Sequence, residues 1–226
     1  MTRDARVFAD RKAAGIALAD ALRAIKLPAP VMVLGLPRGG VPVAYEVARA
    51  LAAPLDVMVV RKVGMPGQRE FAIGAIARDV EVREPDLQAH VERLGLSFEQ
   101  LARAERRELE RRERKYRAGV APLDLRGLTV VLIDDGLATG CTMLAAVRAA
   151  RRAGAASIVV AAPIASREAA ALVETEADMV VILGMPEYLV AIGEWYGEFA
   201  QVSDAEVCAL LADHRARSRE RRAQGS

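Results

Sequence analysis

Five short, almost unbroken apolar runs dominate the chain: VMVLG at 31–35, LDVMVV at 55–60, LTVVLI at 128–133, SIVVAA at 157–162 and DMVVIL at 178–183. A strand with one face in water alternates apolar and polar residues, so runs without alternation predict strands buried on both faces. Between several of them the spacing turns helical: Val43, Val47 and Leu51 follow the first run, and Leu144, Val147 and Ala150 lead to Gly154, a C′ residue, after the third. Strand alternating with helix predicts an α/β fold, an open, mostly parallel sheet flanked by helices with right-handed crossovers. FAIGAIARDVEVRE, at 71–84, alternates over two short runs about Arg78 and Asp79 and predicts an edge hairpin.

An amphipathic helix over 7–25 precedes the first run, and SFEQ at 97 and SDAE at 203 read as capping-box starts of two later helices. A chain of 226 residues can bury roughly 70% of its unfolded surface without staples. We expect one domain over 1–212, with a helical insertion at 97–118, and a basic, flexible tail over 213–226. No apolar run approaches the ~20 residues of a membrane span, and MTRDARVFADRKAAG at the start lacks the apolar stretch of an export signal. A cytoplasmic location and no membrane partner are therefore expected. Cys141 and Cys208 lie far apart without metal-type spacing, which predicts two thiols.

Net charge is +2, but residues 103–117 carry eight basic and four acidic side chains and residues 215–222 five arginines and one glutamate. Each segment is thus +4 and the remainder −6, a weaker pattern than a dedicated nucleic-acid binder shows. Glu108 with Arg112, Glu110 with Arg114 and Glu113 with Arg117 are spaced as i, i+4 pairs of a solvated helix.

Ligands of open parallel sheets sit beyond the carboxyl ends of the strands, so the residues after each apolar run are where chemistry is expected. In VVLIDDGLATGCTM, 130–143, the strand ends on Asp134 and Asp135, and a loop from Gly136 to Thr142 leads into a helix. Backbone amides of residues 138 to 142, Ala138, Thr139, Gly140, Cys141 and Thr142, can then converge on an anion at the helix N-terminus. Thr139 and Thr142 add hydroxyl donors, and Gly140 lets the backbone approach closely. Carboxylates repel that anion and must face hydroxyls or a magnesium shell. Phosphate at one end and a diol at the other describe a ribose 5-phosphate. After the first run, GLPRGGVPVA at 35–44 is a Gly-rich turn without the Lys-Ser/Thr of a P-loop. After the second, Arg61 and Lys62 stand side by side in a chain with only four lysines against twenty-eight arginines. Two cations beside a polyanion site are better explained by a ligand than by solubility.

VVLIDDGLATGCT resembles the phosphoribosyl-pyrophosphate (PRPP) signature of type I phosphoribosyltransferases, four apolar residues, two acids and a T-G-x-T turn in this order. The likeness is greatest to stand-alone phosphoribosyltransferase-domain proteins of unassigned substrate, with some similarity to adenine-type enzymes. It implies the type I fold with a small hood, Mg2+ with PRPP as co-substrate, a nucleobase-like acceptor, a place in nucleotide salvage, and a homodimer. Asp134 and Asp135 would then bind PRPP and the metal, with Gly136 and residues 138 to 142 around the phosphate. GLPRGGVPVA resembles the pyrophosphate loop, which implies a cis peptide near Arg38 and Gly39, with Arg38, Gly39 and Gly40 at the pyrophosphate. VVRKVGMPGQREFAIGA resembles the segment of adenine-type enzymes in which R-K, here Arg61 and Lys62, precedes a mobile lid, here residues 64–69, which implies that Arg61 and Lys62 join Arg38 at the pyrophosphate. Glu70 is the candidate for proton transfer, beside Asp134, Asp135, Arg38 and Lys62 as catalytic residues. The hood is expected at 186–200, where Trp195 and Tyr196 would stack on the acceptor; the N-terminal FADRKAAGIALADAL is the other candidate for it. The alternative reading is a PRPP- or nucleotide-sensing regulator that binds RNA or a protein partner.

Overall fold

The computed structural model describes residues 7–65, 68–83 and 85–224. Helix α1 (Arg11–Arg23) precedes strand β1 (Val31–Gly35), helix α2 (Gly40–Ala50) and strand β2 (Leu55–Val57). Strands β3 (Val60–Met65), β4 (Gln68–Ala77) and β5 (Val80–Arg83) follow, then helices α3 (Pro85–Arg93) and α4 (Phe98–Tyr116). Strand β6 (Thr129–Ile133), helix α5 (Cys141–Arg152), strand β7 (Ser157–Ile164), helix α6 (Arg167–Glu174) and strand β8 (Met179–Gly184) complete the alternation. A 3-10 turn (Ile192–Trp195) leads to helix α7 (Asp204–Gln224).

The five apolar runs build one parallel sheet in the order β2-β1-β6-β7-β8, while β3-β4-β5 form a separate antiparallel sheet. Side chains alternate across each strand. Val33, Val131, Ile133 and Val159 pack with Leu18, Leu22 and Val47 of α1 and α2, whereas Leu34, Leu132 and Val160 pack with Met143 and Val147 of α5. Helices cover both faces, which is why the strands tolerate no polar alternation. From β1 the sheet grows one way to β2, and from β6 the other way to β7 and β8. The carboxyl ends of β1 and β6 therefore flank the switch point, the place where such sheets open a crevice.

The run LDVMVV is not one strand. Met58 donates to the Gly35 carbonyl at 3.1 Å, the last rung before β1 turns into its loop. With no partner to follow, the chain leaves the main sheet, and Val60 onward joins the small one. Arg61 and Lys62 consequently stand inside β3 rather than at the end of a buried strand. The predicted hairpin is β4–β5, with Asp79 at φ 56° in its turn.

Helix α4 starts on the capping box of Ser97 and Gln100 and buries Phe98, Ala102, Leu109 and Tyr116 along one side. Glu108 pairs with Arg112 and Glu110 with Arg114 as expected from the spacing. Glu113 departs from it and takes Arg78, while Arg117 ties α4 to the buried Asp56 of β2 at 3.1 Å. Much of the helix's charge is thus engaged internally, since Arg106 pairs with Glu81, and Arg111 and Lys115 pair with Asp204. Residues 213–224, expected as a flexible tail, continue α7. Asp213 accepts from Tyr45 and from Arg217, and His214 is buried, whereas residues 216, 217 and 219–221 of the same helix are exposed. Among the described residues, no helix is long and apolar enough to cross a membrane.

Candidate active site

At the end of β6 the chain turns through Asp134 and Asp135 into the loop that opens α5. The loop is held from outside: Leu137 donates to Ile164 O and Ser166 N to Leu137 O, both at 2.9 Å, and Ser166 Oγ donates to Ala138 O at 2.8 Å. Gly140, at φ 80°, takes the left-handed turn that brings the chain into α5 at Cys141. The cup therefore sits on a 12-residue helix, whose N-terminal dipole favours an anion. Thr142 Oγ1 is buried there without a hydrogen-bond partner. Thr139 and Ala138 are exposed, and Cys141 is buried.

The loop after β1 closes the opposite side. The Pro37–Arg38 peptide is cis, and Gly39 and Gly40 run directly against the end of β6. A Cβ on Gly40 would come within 2.5 Å of Ile133 O, and one on Gly39 would fall on the Asp135 carboxylate. Glycine at both places is what lets the two loops touch. Leu36 N donates to Ile133 O at 2.8 Å, locking the strand ends together. Arg38 lines the space between them, with Nη1 4.0 Å from Asp204 at the start of α7.

The resulting cleft encloses 520 Å³ and brings Asp134, Asp135, Arg38, Lys62 and residues 136 to 140 with Thr142 to one place. Arg61 is not among them. Neighbouring residues on a strand point to opposite faces, and with Lys62 toward the cleft, Arg61 meets Glu105 of α4 at 2.6 Å. Glu70 lies in β4 with its side chain outside the described ones, and Pro66 and Gly67 of the expected lid also lie outside the described residues.

Beside the cleft, the segment before α1 pairs with the segment that follows the 3-10 turn. Phe8 N donates to Trp195 O at 2.9 Å, Gly197 N to Phe8 O at 2.7 Å and Glu198 N to Ala9 O at 2.8 Å, pairing the two segments side by side. Tyr196 is buried between Phe8 and Phe199, and its hydroxyl donates to Asp135 O at 2.6 Å. Burial holds that phenol well above its ordinary pKa, so it stays a donor. Trp195 is half-buried, its Nε1 without a hydrogen-bond partner. Neither Trp195 nor Tyr196 lines the cleft; Ile192, Phe199 and Val202 do.

The residue that pattern reading missed is Arg11. Its Nε binds Asp135 Oδ2 at 2.7 Å, its Nη1 donates to Ala200 O at 2.8 Å, and the guanidinium lies 3.8 Å from the Phe199 ring centroid. Nothing in the local pattern marks it: Asp10 caps α1 through a 2.7 Å bond from Ala13 N, and an arginine just inside the cap reads as an exposed helix residue.

Electrostatically the acid pair is under-compensated. Burial pushes the Asp134 carboxyl well above its usual range and the neighbouring Asp135 charge adds to this, with Lys62 acting against it. Burial raises Asp135 too, while the charge and hydrogen bond of Arg11 oppose the rise. Two adjacent half-buried carboxylates, only one of them salt-bridged, to Arg11, are suited to a ligand that brings hydroxyl donors or a cation. No group of three or more His, Cys, Asp or Glu that could hold a metal occurs among the described residues. A pair of carboxylates nevertheless fits magnesium, which takes one or two protein carboxylates and completes its shell with water and substrate phosphate oxygens.

A family model described as phosphoribosyl transferase domain matches residues 10–190. Two Mycobacterium tuberculosis sequences, "Putative phosphoribosyl transferase Rv0571c" of strain H37Rv and "Putative phosphoribosyl transferase MT0597" of strain CDC 1551, are each 44% identical over 207 residues. The match covers 91% of this chain and 46% of theirs, so the chain spans about half the length of the curated relatives it matches. The crystal structure of TT1426 from Thermus thermophilus is similar with a TM-score of 0.75 and 43% identity, over 91% of this chain and 98% of that one.

Proposed function

The chain belongs to the phosphoribosyl transferase domain family, and from that premise we propose that it moves the 5-phosphoribosyl group of PRPP to a nitrogen of a nucleobase-like acceptor, releasing pyrophosphate. One observation carries the reading: an anion cup, an acid pair and three cations, Arg11, Arg38 and Lys62, share a single cleft at the switch point of the sheet.

On this reading the 5-phosphate rests on the amides of residues 138 to 142, with Thr139 and Thr142 donating from their hydroxyls. The ribose hydroxyls donate to Asp134 and Asp135. Arg38 and Lys62 face the pyrophosphate, and as the C1–O bond breaks they offset the charge that collects on the leaving group. Positive charge builds on the ribose at the same time, within the field of the acid pair, and the acceptor nitrogen then forms the new C1–N bond. Its proton passes to a base, for which Glu70 is the candidate. Arg11 and the Tyr196 hydroxyl act one step back, fixing Asp135 by its Oδ2 and its carbonyl. Ile192, Phe199 and Val202 offer an apolar wall for a flat heterocycle. Magnesium, held by Asp134 and Asp135 with PRPP, would neutralise charge on the diphosphate. The protein's own contribution is positioning and charge stabilisation.

The test pairs calorimetry with turnover. PRPP in the presence of magnesium is expected to bind, and a panel of heterocyclic bases to include one that drives pyrophosphate release. Asp135→Asn keeps the fold and lowers that release at least tenfold, about 1.4 kcal/mol of barrier. No heat on adding PRPP, or equal turnover in the variant, overturns the proposal.

A further inference from the structure

A second cavity, of 430 Å³, lies away from the cleft, between the loop joining α2 to β2 and the later turns of α7. Ala52, Pro54 and Leu55 form one wall; His214, Arg215, Ser218, Arg219 and Arg221 form the other, and no carboxylate lines it. A basic helix face is ordinarily explained by solvation, but two groups here are out of water. His214 is 1% exposed, and its Nε2 has no hydrogen-bond partner. Arg215 Nη2 is likewise buried without a hydrogen bond. Its nearest carboxylate, Asp56, is 3.9 Å away and already serves Arg117 and the Val57 amide. Arg221 reaches Ser218 Oγ at 3.4 Å rather than an acid. Buried polar atoms left without a partner are costly, and a native fold keeps them where something else completes the bonds.

We propose that this cavity binds a phosphorylated small molecule of nucleoside-monophosphate size, its phosphate held by His214, Arg215, Arg219 and Arg221 and its organic part against Pro54 and Leu55. The volume falls within the range of small-molecule sites, and arginine forks match phosphate oxygens. Burial and the charges of Arg221 and Arg215 depress the imidazole pKa of His214, with Asp213 and a hydrogen bond to the Ala53 backbone acting the other way. An anion in the cavity would oppose those arginine charges and favour the imidazolium, whose Nε2 can donate to it while the ring keeps its bond to the Ala53 backbone.

The chain has two histidines, His214 at the cavity and His90, exposed on α3, so ring resonances in a histidine-labelled sample read this site alone. Titration with adenosine 5′-monophosphate, and separately with inorganic phosphate, is expected to shift the His214 signals to saturation, at lower concentration for the nucleotide, and to leave His90 still. The double variant Arg219→Ala, Arg221→Ala should abolish the shift, whereas Thr142→Val, in the cleft, should retain it. Unmoved His214 signals, a shift that never saturates and is shared by His90, equal midpoints for the two probes, or a shift surviving the double variant overturns the proposal. The readout does not involve turnover, so its failure leaves the reading of the cleft intact.

Discussion

Gly39→Ala tests the closeness of the two loops. A Cβ at residue 39 would overlap the Asp135 carboxylate and lie 2.6 Å from its Cγ, where carbon atoms ordinarily keep about 3.5 Å or more. One side must retreat by about 1 Å. Asp135 resists, because Arg11 holds Oδ2 at 2.7 Å and Tyr196 holds the carbonyl at 2.6 Å. Overpacking of this kind costs about 1–3 kcal/mol, which for a chain of this length lowers the melting temperature by roughly 2–12 °C. Function suffers more: displacement of a positioning group by about 1 Å costs on the order of 100-fold in rate. The variant should melt slightly early, bind PRPP poorly and release pyrophosphate about 100-fold more slowly. A double-mutant cycle isolates the cause. With Asp135→Ala in the background, Gly39→Ala should no longer destabilise, because the overlapping group is gone. Equal destabilisation with and without the Asp135 carboxylate, or wild-type PRPP affinity in the single variant, would refute the packing argument.

Two further perturbations follow from the same geometry. Thr142→Val removes a buried hydroxyl that bonds to nothing in the protein; stability should change by no more than about 0.5 kcal/mol. PRPP affinity should fall roughly 10- to 100-fold by calorimetry, the worth of a hydrogen bond to a charged group, and unchanged affinity would remove the hydroxyl from the cup. Asp204 accepts from Tyr116, Lys115 and Arg111, and the Tyr116 hydrogen bond foremost holds its carboxyl below the usual range. A depressed carboxyl stabilises the fold above its unfolded pKa, near 3.9, and the contribution is lost as pH falls from there toward the folded value. Urea midpoints of Asp204→Asn and wild type should therefore differ most at neutral pH and converge on acidification below about pH 4; parallel curves would contradict the assignment.

Motifs and elements that depend on a few neighbouring residues were legible in the linear pattern. The doubly buried strands, the capping box at Ser97, and the acid pair running into a glycine turn and a helix N-terminus each follow from residues within one or two turns of each other, where local sterics and hydrogen bonding decide. The pairing of the two loops followed as well, because parallel sheets put such loops at one end. Choices among distant partners were not legible. Arg11 meets an acid 124 positions along, Glu113 prefers Arg78 to the helical neighbour Arg117, and Arg61 is drawn to Glu105 while Lys62 faces the cleft. Hydrophobic periodicity likewise said that residues 55–60 are buried, but not that β1 would run out at Gly35 and send the chain into a second sheet.

What the sequence by itself determined is therefore the set of elements and the chemistry at the ends of two strands. What only the tertiary structure decided is which charges meet, which distant segments pair beside the cleft, and which side chains line it. A salt bridge is worth only a kilocalorie or so and leaves no periodic trace along the chain; it is selected by whichever groups the packed core brings within reach.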